Sequence, residues 1–271
     1  MKSISIAVLF SVLLLCLPIS SWQFANTIEL HGIQWEKDTL DILVVGDNPH
    51  YTNLAIDAIG NYMYAVVSTT GEYDEWHYQV KVMNSTEYQD LSWYLRWDIV
   101  FWISDNYQAA GSTGNLGVTN FLKIDGSGVP DNHKEEFSRA DITITTMYNS
   151  TNYIPDFMFF DMVAHEYGHA LGLGHPQDEN YERPTDLMSG AQVWNVTYSN
   201  TLEIDIGGLV FYKQFTDETQ ITYIMWRHVG YMKPSPLNIS ALVQIYDTDG
   251  WNYRQHNDNI PQSYGQTYIG E

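Results

Sequence analysis

At 271 residues the chain can bury a sizeable core, and 44% hydrophobic residues with no polar low-complexity tract exclude a disordered polypeptide. The balance of 12 Lys+Arg against 33 Asp+Glu gives a formal charge of -21 and leaves no basic patch to neutralise phosphates, so nucleic acid is excluded as an expected partner. That acidity fits a soluble, self-repelling surface or a host living in strong acid or salt, and charge alone does not separate the two.

The chain opens on "MKSISIAVLFSVLLLCLPISSW", one Lys followed by a mostly apolar run from Ile4 to Ile19. This length suits the core of a secretory signal and is short for a full membrane span. Residues 1–25 are therefore expected to be a cleaved signal or, if uncleaved, an N-terminal anchor, which would be the chain's one attachment to a membrane. Secretion or an extracellular location follows. The single cysteine, Cys16, lies inside this segment, so the mature chain is expected to hold no disulfide. Asn-x-Ser/Thr acceptors at Asn84, Asn149, Asn195 and Asn238 are compatible with glycosylation outside the cytoplasm.

Beyond residue 25, "TLDILVVGD" (Thr39 to Asp47) is a short β-branched run ending in a turn, and predicts a buried strand. "YTNLAIDAIGNYMYAVV" spaces Leu54, Ile56, Ile59, Met63 and Val66 at three- and four-residue steps and predicts an amphipathic helix. "WHYQVKVM" alternates as a strand, and "RWDIVFWIS" (Arg96 to Ser104) is apolar enough for the centre of a sheet. "NLGVTNFL" and "ADITITT" predict two further strands. "STNYIPDFMFFDMVAHEYGHALGLGH" predicts a second helix, started near Pro155 and Asp156, apolar all round, and ended by Gly172 and Gly174. After a long loop, "LEIDIGGLVFYKQF" is expected to form a third helix, and the Tyr-, Asn- and Gln-rich stretch from about Thr216 to Glu271 to form strands and loops. The order of elements indicates an α/β (α+β) fold with a mixed twisted sheet. The expected domains are a catalytic unit over 26–215 and a strand and loop extension over 216–271.

Three of the chain's nine histidines, His165, His169 and His175, fall within eleven residues. Residues four apart stack on one helix face, so His165 and His169 can aim at a single ion. Zinc accepts imidazole nitrogens at about 2.0–2.1 Å and, in catalytic sites, takes three protein ligands. A third ligand must leave that face, and Gly172 allows the chain to turn back and bring His175 to the ion. A structural site would have no use for a neighbouring carboxylate. Glu166 therefore predicts a catalytic site, in which it serves as base for a zinc-bound water attacking a peptide carbonyl.

"HEYGHALGLGH" resembles the metzincin zinc-peptidase motif HExxHxxGxxH, and the chain is most similar to the matrixin, or matrix metalloprotease-like, branch. "GIQWEKDTLDILVV", "RWDIVFWIS" and "GNLGVTNF" look like that branch's first, central and edge strands, and "LEIDIGGLVFY" like its closing helix. The resemblance covers about Ile33 to Tyr212. It implies a zincin fold with a small C-terminal subdomain after the third histidine, and a methionine turn beneath the zinc, here Met188 in "TDLMSG". It also implies that an extended protein or peptide substrate pairs with the edge strand at Leu116 and Gly117. A matrixin-type latency cysteine, a second structural zinc and a tyrosine two residues after the methionine, where Gly190 stands, are not expected. Calcium is a further expected ion only through "DGSGVPDN" (Asp125 to Asn132) and the turn around Asp247 and Asp249, neither of which completes a calcium loop.

The expectation is thus an exported, monomeric zinc endopeptidase. Its alternatives are a dedicated processing peptidase with a narrow partner substrate and a non-catalytic surface binding protein that retains the zinc site.

Overall fold

The computed structural model describes residues 27–72, 75–90, 97–111, 116–123, 126–128, 137–147, 150–176, 186–188, 201–206, 209–217, 220–228, 233–247, 250–251 and 262–265, with only the backbone course of the strands between 201 and 228. The N-terminal segment, the acceptors Asn149 and Asn195, and Asp125, Asn132 and Asp249 of the calcium stretches lie outside them. No helix among the described residues is long and apolar enough to cross a membrane.

The fold is a mixed α/β arrangement on a five-stranded sheet. Strands β2 (Leu40–Val45), β3 (Tyr78–Met83), β4 (Ile99–Ser104), β5 (Gly117–Leu122) and β6 (Arg139–Thr145) lie in the order β3-β2-β4-β6-β5. The first four in that row are parallel, and β5 runs antiparallel to β6 at the edge. Ile99, Val100 and Phe101 are fully buried in β4, which fits a strand covered on both faces. Period-two alternation divides the sheet. Leu40, Ile42, Val44, Phe101, Ile142 and Ile144 join the main core, whereas Leu43, Val45, Met83 and Val100 form a second cluster flanked by Tyr88, Trp97 and Trp102. Each such side chain contributes on the order of 1.5–3 kcal/mol by leaving water.

Helix α1 (Pro49–Thr70) connects β2 to β3. Asn48 caps it by accepting from the His50 amide, Pro49 opens it, and Gly71 closes it with φ of 79°. Its buried face centres on Tyr51, Ala55, Ala58, Ile59, Tyr62, Met63 and Val66. The expected Leu54 and Ile56 are only partly buried, while Ala55 and Ala58 take fully buried positions. A short α2 (Ser85–Gln89) follows β3, held by a capping box between Asn84 and Glu87.

Helix α3 (Asp156–Ala170) lies beside α1 and buries Met158, Phe159, Phe160, Val163, Ala164 and Tyr167 around nearly its whole circumference. It ends where Gly172 takes φ of 104°, a conformation that favours glycine, with a place for a Cβ only 3.0 Å from the Ile33 carbonyl oxygen. The chain then enters β7 (Leu173–Pro176), which pairs with β1 (Thr27–Leu30), itself paired with β11 (Ser263–Gly265).

Two expectations are corrected. The stretch expected as a third helix is a hairpin, β8 (Thr201–Ile206) and β9 (Leu209–Asp217), extended by β10 (Gln220–His228) into an antiparallel three-stranded sheet. Leu202, Ile204 and Ile206 alternate with Glu203 and Asp205, and the sequence between Ile206 and its partner Leu209 is Gly-Gly. That pair favours a two-residue hairpin turn and costs a helix about 1 kcal/mol per glycine. The tail, expected as strands and loops alone, contains α4 (Pro236–Tyr246). Ser235 and Pro236 give it a cap and a first-turn proline, and Leu237, Ile239, Ala241, Leu242 and Ile245 bury it in the same core as α1 and α3.

Candidate active site

The last turns of α3 place His165 and His169 on one face, with ring centroids 4.6 Å apart and planes perpendicular. The turn at Gly172 and the strand β7 bring His175 to 5.4 Å from His165 and 4.8 Å from His169, ring to ring. One ligand atom from each residue lies within 4.8 Å of the others, so the three form a group able to hold a metal ion. Among the described residues this is the group of three or more His, Cys, Asp or Glu side chains that converges in this way.

Each helical histidine is held from behind. His165 Nδ1 donates to the Leu187 carbonyl at 2.7 Å, and His169 Nδ1 donates to the Leu173 carbonyl at 2.8 Å. These bonds select the tautomer that leaves Nε2 free to ligate. Burial pushes His165 down to about 4 and His169 well below the ordinary histidine range, so both rings are neutral near pH 7. The two Nε2 atoms are nevertheless 3.0 Å apart. Two lone pairs at that distance repel unless a proton or a cation stands between them. Paired with neutral imidazoles, this donor set fits zinc.

Met188 is fully buried, and its sulfur occupies the place that a side chain on Gly168 would need, one residue before His169. The turn carrying it is fixed by Asp186, whose Oδ1 accepts from the Met188 amide at 2.8 Å. Ser235 Oγ donates to Oδ2 of the same carboxylate at 2.6 Å, and Asn238 Nδ2 donates to Oδ1 at 3.0 Å. The cap of α4 thus locks the floor of the histidine site. This overturns Asn238 as a glycosylation acceptor, since the residue is 0% exposed and its amide is committed to Asp186. Asn84 remains exposed at the start of α2.

Two more side chains tie off the end of α3. Trp35 Nε1 donates to the Ala170 carbonyl at 2.8 Å, and the Tyr246 hydroxyl donates to the Leu171 carbonyl at 3.0 Å. They satisfy acceptors that a helix end leaves open. His31, which directly follows β1, stands with Nε2 3.4 Å from His169 Nδ1. Its contact spans 138 residues of sequence, and no local pattern announces it.

Glu166 points from α3 toward β5. It is 5% exposed, and burial raises its carboxyl to about 7, opposed by a hydrogen bond from Thr119. Gly117 turns its vacant side-chain position to Glu166 rather than outward, since a Cβ there would lie 2.8 Å from both Cγ and Oε1. Leu116 offers its carbonyl to the Thr145 amide at 2.9 Å, inside the sheet. By antiparallel alternation, the main-chain groups of Gly117 and Thr119 therefore face the open edge and those of Leu116 do not. Thr119 was legible only through strand period, two residues after Gly117 on the same face.

No protein-family model matches the chain, and no curated protein matches it. Among solved structures it aligns with metalloproteinase-II from Bacteroides fragilis at 16% identity and a TM-score of 0.33, over 58% of this chain and 47% of that one. It also aligns with a chain of the GM1-bound ECX AB5 holotoxin at 14% identity and a TM-score of 0.28, over 57% of this chain and 63% of that one. The alignments thus span less than two thirds of either protein's own length. Likeness at this level carries no functional argument, and the chemistry of the site must carry its own.

Proposed function

We propose that the protein is an exported zinc-dependent endopeptidase that hydrolyses peptide bonds in extended segments of protein or peptide substrates. The observation that carries this reading is a buried carboxylate, raised to about 7, beside three histidines whose free nitrogens converge. His165, His169 and His175 would hold the ion, and Met188 would underlie it. When bound, zinc supplies Lewis acidity toward a water and a substrate carbonyl. Glu166 supplies what the histidines do not, a base matched to neutral pH that takes a proton from the attacking water and delivers it to the leaving amine. The outward-facing groups of Gly117 and Thr119 give an extended substrate an edge on which to add a strand.

The test is cleavage of a denatured protein by the parent and by Glu166→Ala, with zinc content measured in both. The expected outcome is equal zinc with cleavage reduced about 10²–10⁴-fold in the variant, the range of general-base contributions. A variant that cuts as fast as the parent at equal zinc would remove Glu166 from the mechanism. A zinc-loaded parent that cuts no protein would overturn the endopeptidase reading.

A further inference from the structure

We infer that Thr119 is a positioning residue for Glu166, holding the carboxylate in one orientation from the edge strand. The inference deepens the peptidase reading and rests on it for its catalytic meaning, although the contact itself does not. Thr119 Oγ1 lies 2.7 Å from Glu166 Oε2 and 3.0 Å from the Glu166 main-chain carbonyl. The hydroxyl has one proton to give, and the shorter of its two contacts is to the carboxylate; no other side-chain hydrogen bond to that carboxylate is found among the described residues.

The strand supplies the other half of the hold by omission. A Cβ at Gly117 would meet Glu166 Cγ and Oε1 at 2.8 Å and Met162 Cγ at 3.0 Å, distances that force a shift. Gly117 and Thr119 are two apart and so point to the same side of β5. Gly117 leaves the room in which the Glu166 stem lies, and Thr119 fastens its end. Phe121, next on that face, sits edge-on to His31 at 6.1 Å between centroids, and His31 in turn lies beside His169. One face of an edge strand therefore seats the base and abuts the support of a ligand.

The physical consequence follows from the chemistry assigned to Glu166. A base must stand within about 2.6–3.2 Å of the proton it takes. Glutamate has three rotatable bonds, and a misplacement of about 1 Å can cost about 10²-fold in rate. Without the hydroxyl, Oε2 would sample other rotamers or turn toward the histidines. Because the main chain of Thr119 faces the open edge, the residue that fastens the base also adjoins the place where an added strand would lie.

Thr119→Val keeps shape and removes the hydroxyl, Thr119→Ser keeps the hydroxyl and removes the methyl, and Gly117→Ala intrudes on the Glu166 stem. Two readouts are needed. One is kcat and KM on a protein substrate at measured zinc content. The other is the ¹³Cδ NMR signal of Glu166 in glutamate-labelled protein, assigned by its loss in Glu166→Gln, which reports carboxylate environment without any turnover. The expected result is a 10–100-fold lower kcat for Thr119→Val with KM within about threefold and zinc unchanged, a shifted or broadened Glu166 signal, and recovery of both in Thr119→Ser. Gly117→Ala should also displace the Glu166 signal. A Thr119→Val protein with the parent's kcat and signal would overturn the inference while leaving the peptidase reading intact. A defect that Ser fails to rescue would overturn it too, because packing of the methyl would then be the cause. If the signals behave as expected but the parent cuts nothing, Thr119 still positions Glu166 and it is the peptidase reading that falls.

Discussion

The two sides of the histidine site are built on different principles. Behind it, His165 and His169 are fixed by main-chain carbonyls, and Met188 sits on a turn whose carboxylate, Asp186, accepts from a main-chain amide, a serine and an asparagine. In front, Glu166 hangs on one hydroxyl and a missing side chain. The back is redundant and shared with the core, whereas the front is thin. The difference teaches where damage should appear. Changes behind the site should cost metal and stability together, and changes in front should cost rate without loss of stability.

The largest expected effect lies at the ligands. His169→Ala removes one nitrogen of the converging trio and leaves the Leu173 carbonyl without its donor. Zinc affinity should fall more than 100-fold, a loss beyond the roughly 10–100-fold typical of outer-shell partners, and cleavage should disappear with it. Zinc content after dialysis against a weak chelator checks this. Retention of a full equivalent would mean that the ion sits elsewhere.

Next comes the floor. Asp186 is buried, and Asp186→Ala would strand donors from Met188, Ser235 and Asn238 in a place water reaches poorly. Leaving a buried donor unsatisfied costs about 1–3 kcal/mol. The expected outcome is a melting temperature lower by several degrees and zinc affinity reduced roughly 10-fold, since the Leu187 carbonyl that orients His165 rides on the same turn. Thermal melts with and without zinc separate the two effects. If affinity held while stability fell, α4 would support the fold but not the site, and the contrast between back and front would weaken.

Legibility in the sequence follows the range of the interactions. β4 announces itself by an uninterrupted apolar run, β2 by one broken only at Asp41, β6 by the period-two alternation of Ala140, Ile142 and Ile144, and α3 by its apolar circumference. The histidine spacing was readable because helix period and one glycine turn settle it locally. The pairing of β8 with β9 reads as a helix when the apolar residues of both are weighed above the Gly-Gly pair that the sequence places between them. Helix α4 was missed beneath a polar composition, although Ser235 and Pro236 mark its start. The roles of His31, Asp186 and Asn238 rest on contacts that no short window of sequence holds. Their partners lie 138, 49 and 52 residues away, and nothing in a local window encodes that proximity.

The smallest and most discriminating effect concerns protons. In metal-free protein, burial raises Glu166 from 4.5 to about 7. Below pH 4.5 the carboxyl is neutral in both folded and unfolded chains, and its folded form carries no buried charge. As pH rises through 7 the folded group must ionise while buried, so the stability present at low pH is lost. His165 runs the other way, from 6.5 down to about 4, and its burial costs stability as pH falls from 6.5 toward 4. The two slopes oppose each other between about 4.5 and 6.5, so the parent's melting temperature should vary little there on their account. Glu166→Gln removes one of them. Its melting temperature minus the parent's should be small near pH 4.5 and grow by on the order of 5–10 °C by pH 7.5, as the parent alone acquires a buried charge. A flat difference curve would mean that the carboxylate is solvated when ionised, and that the front of the site is open rather than thin. The same depression keeps the buried His165 ring neutral well below pH 6 in the folded chain.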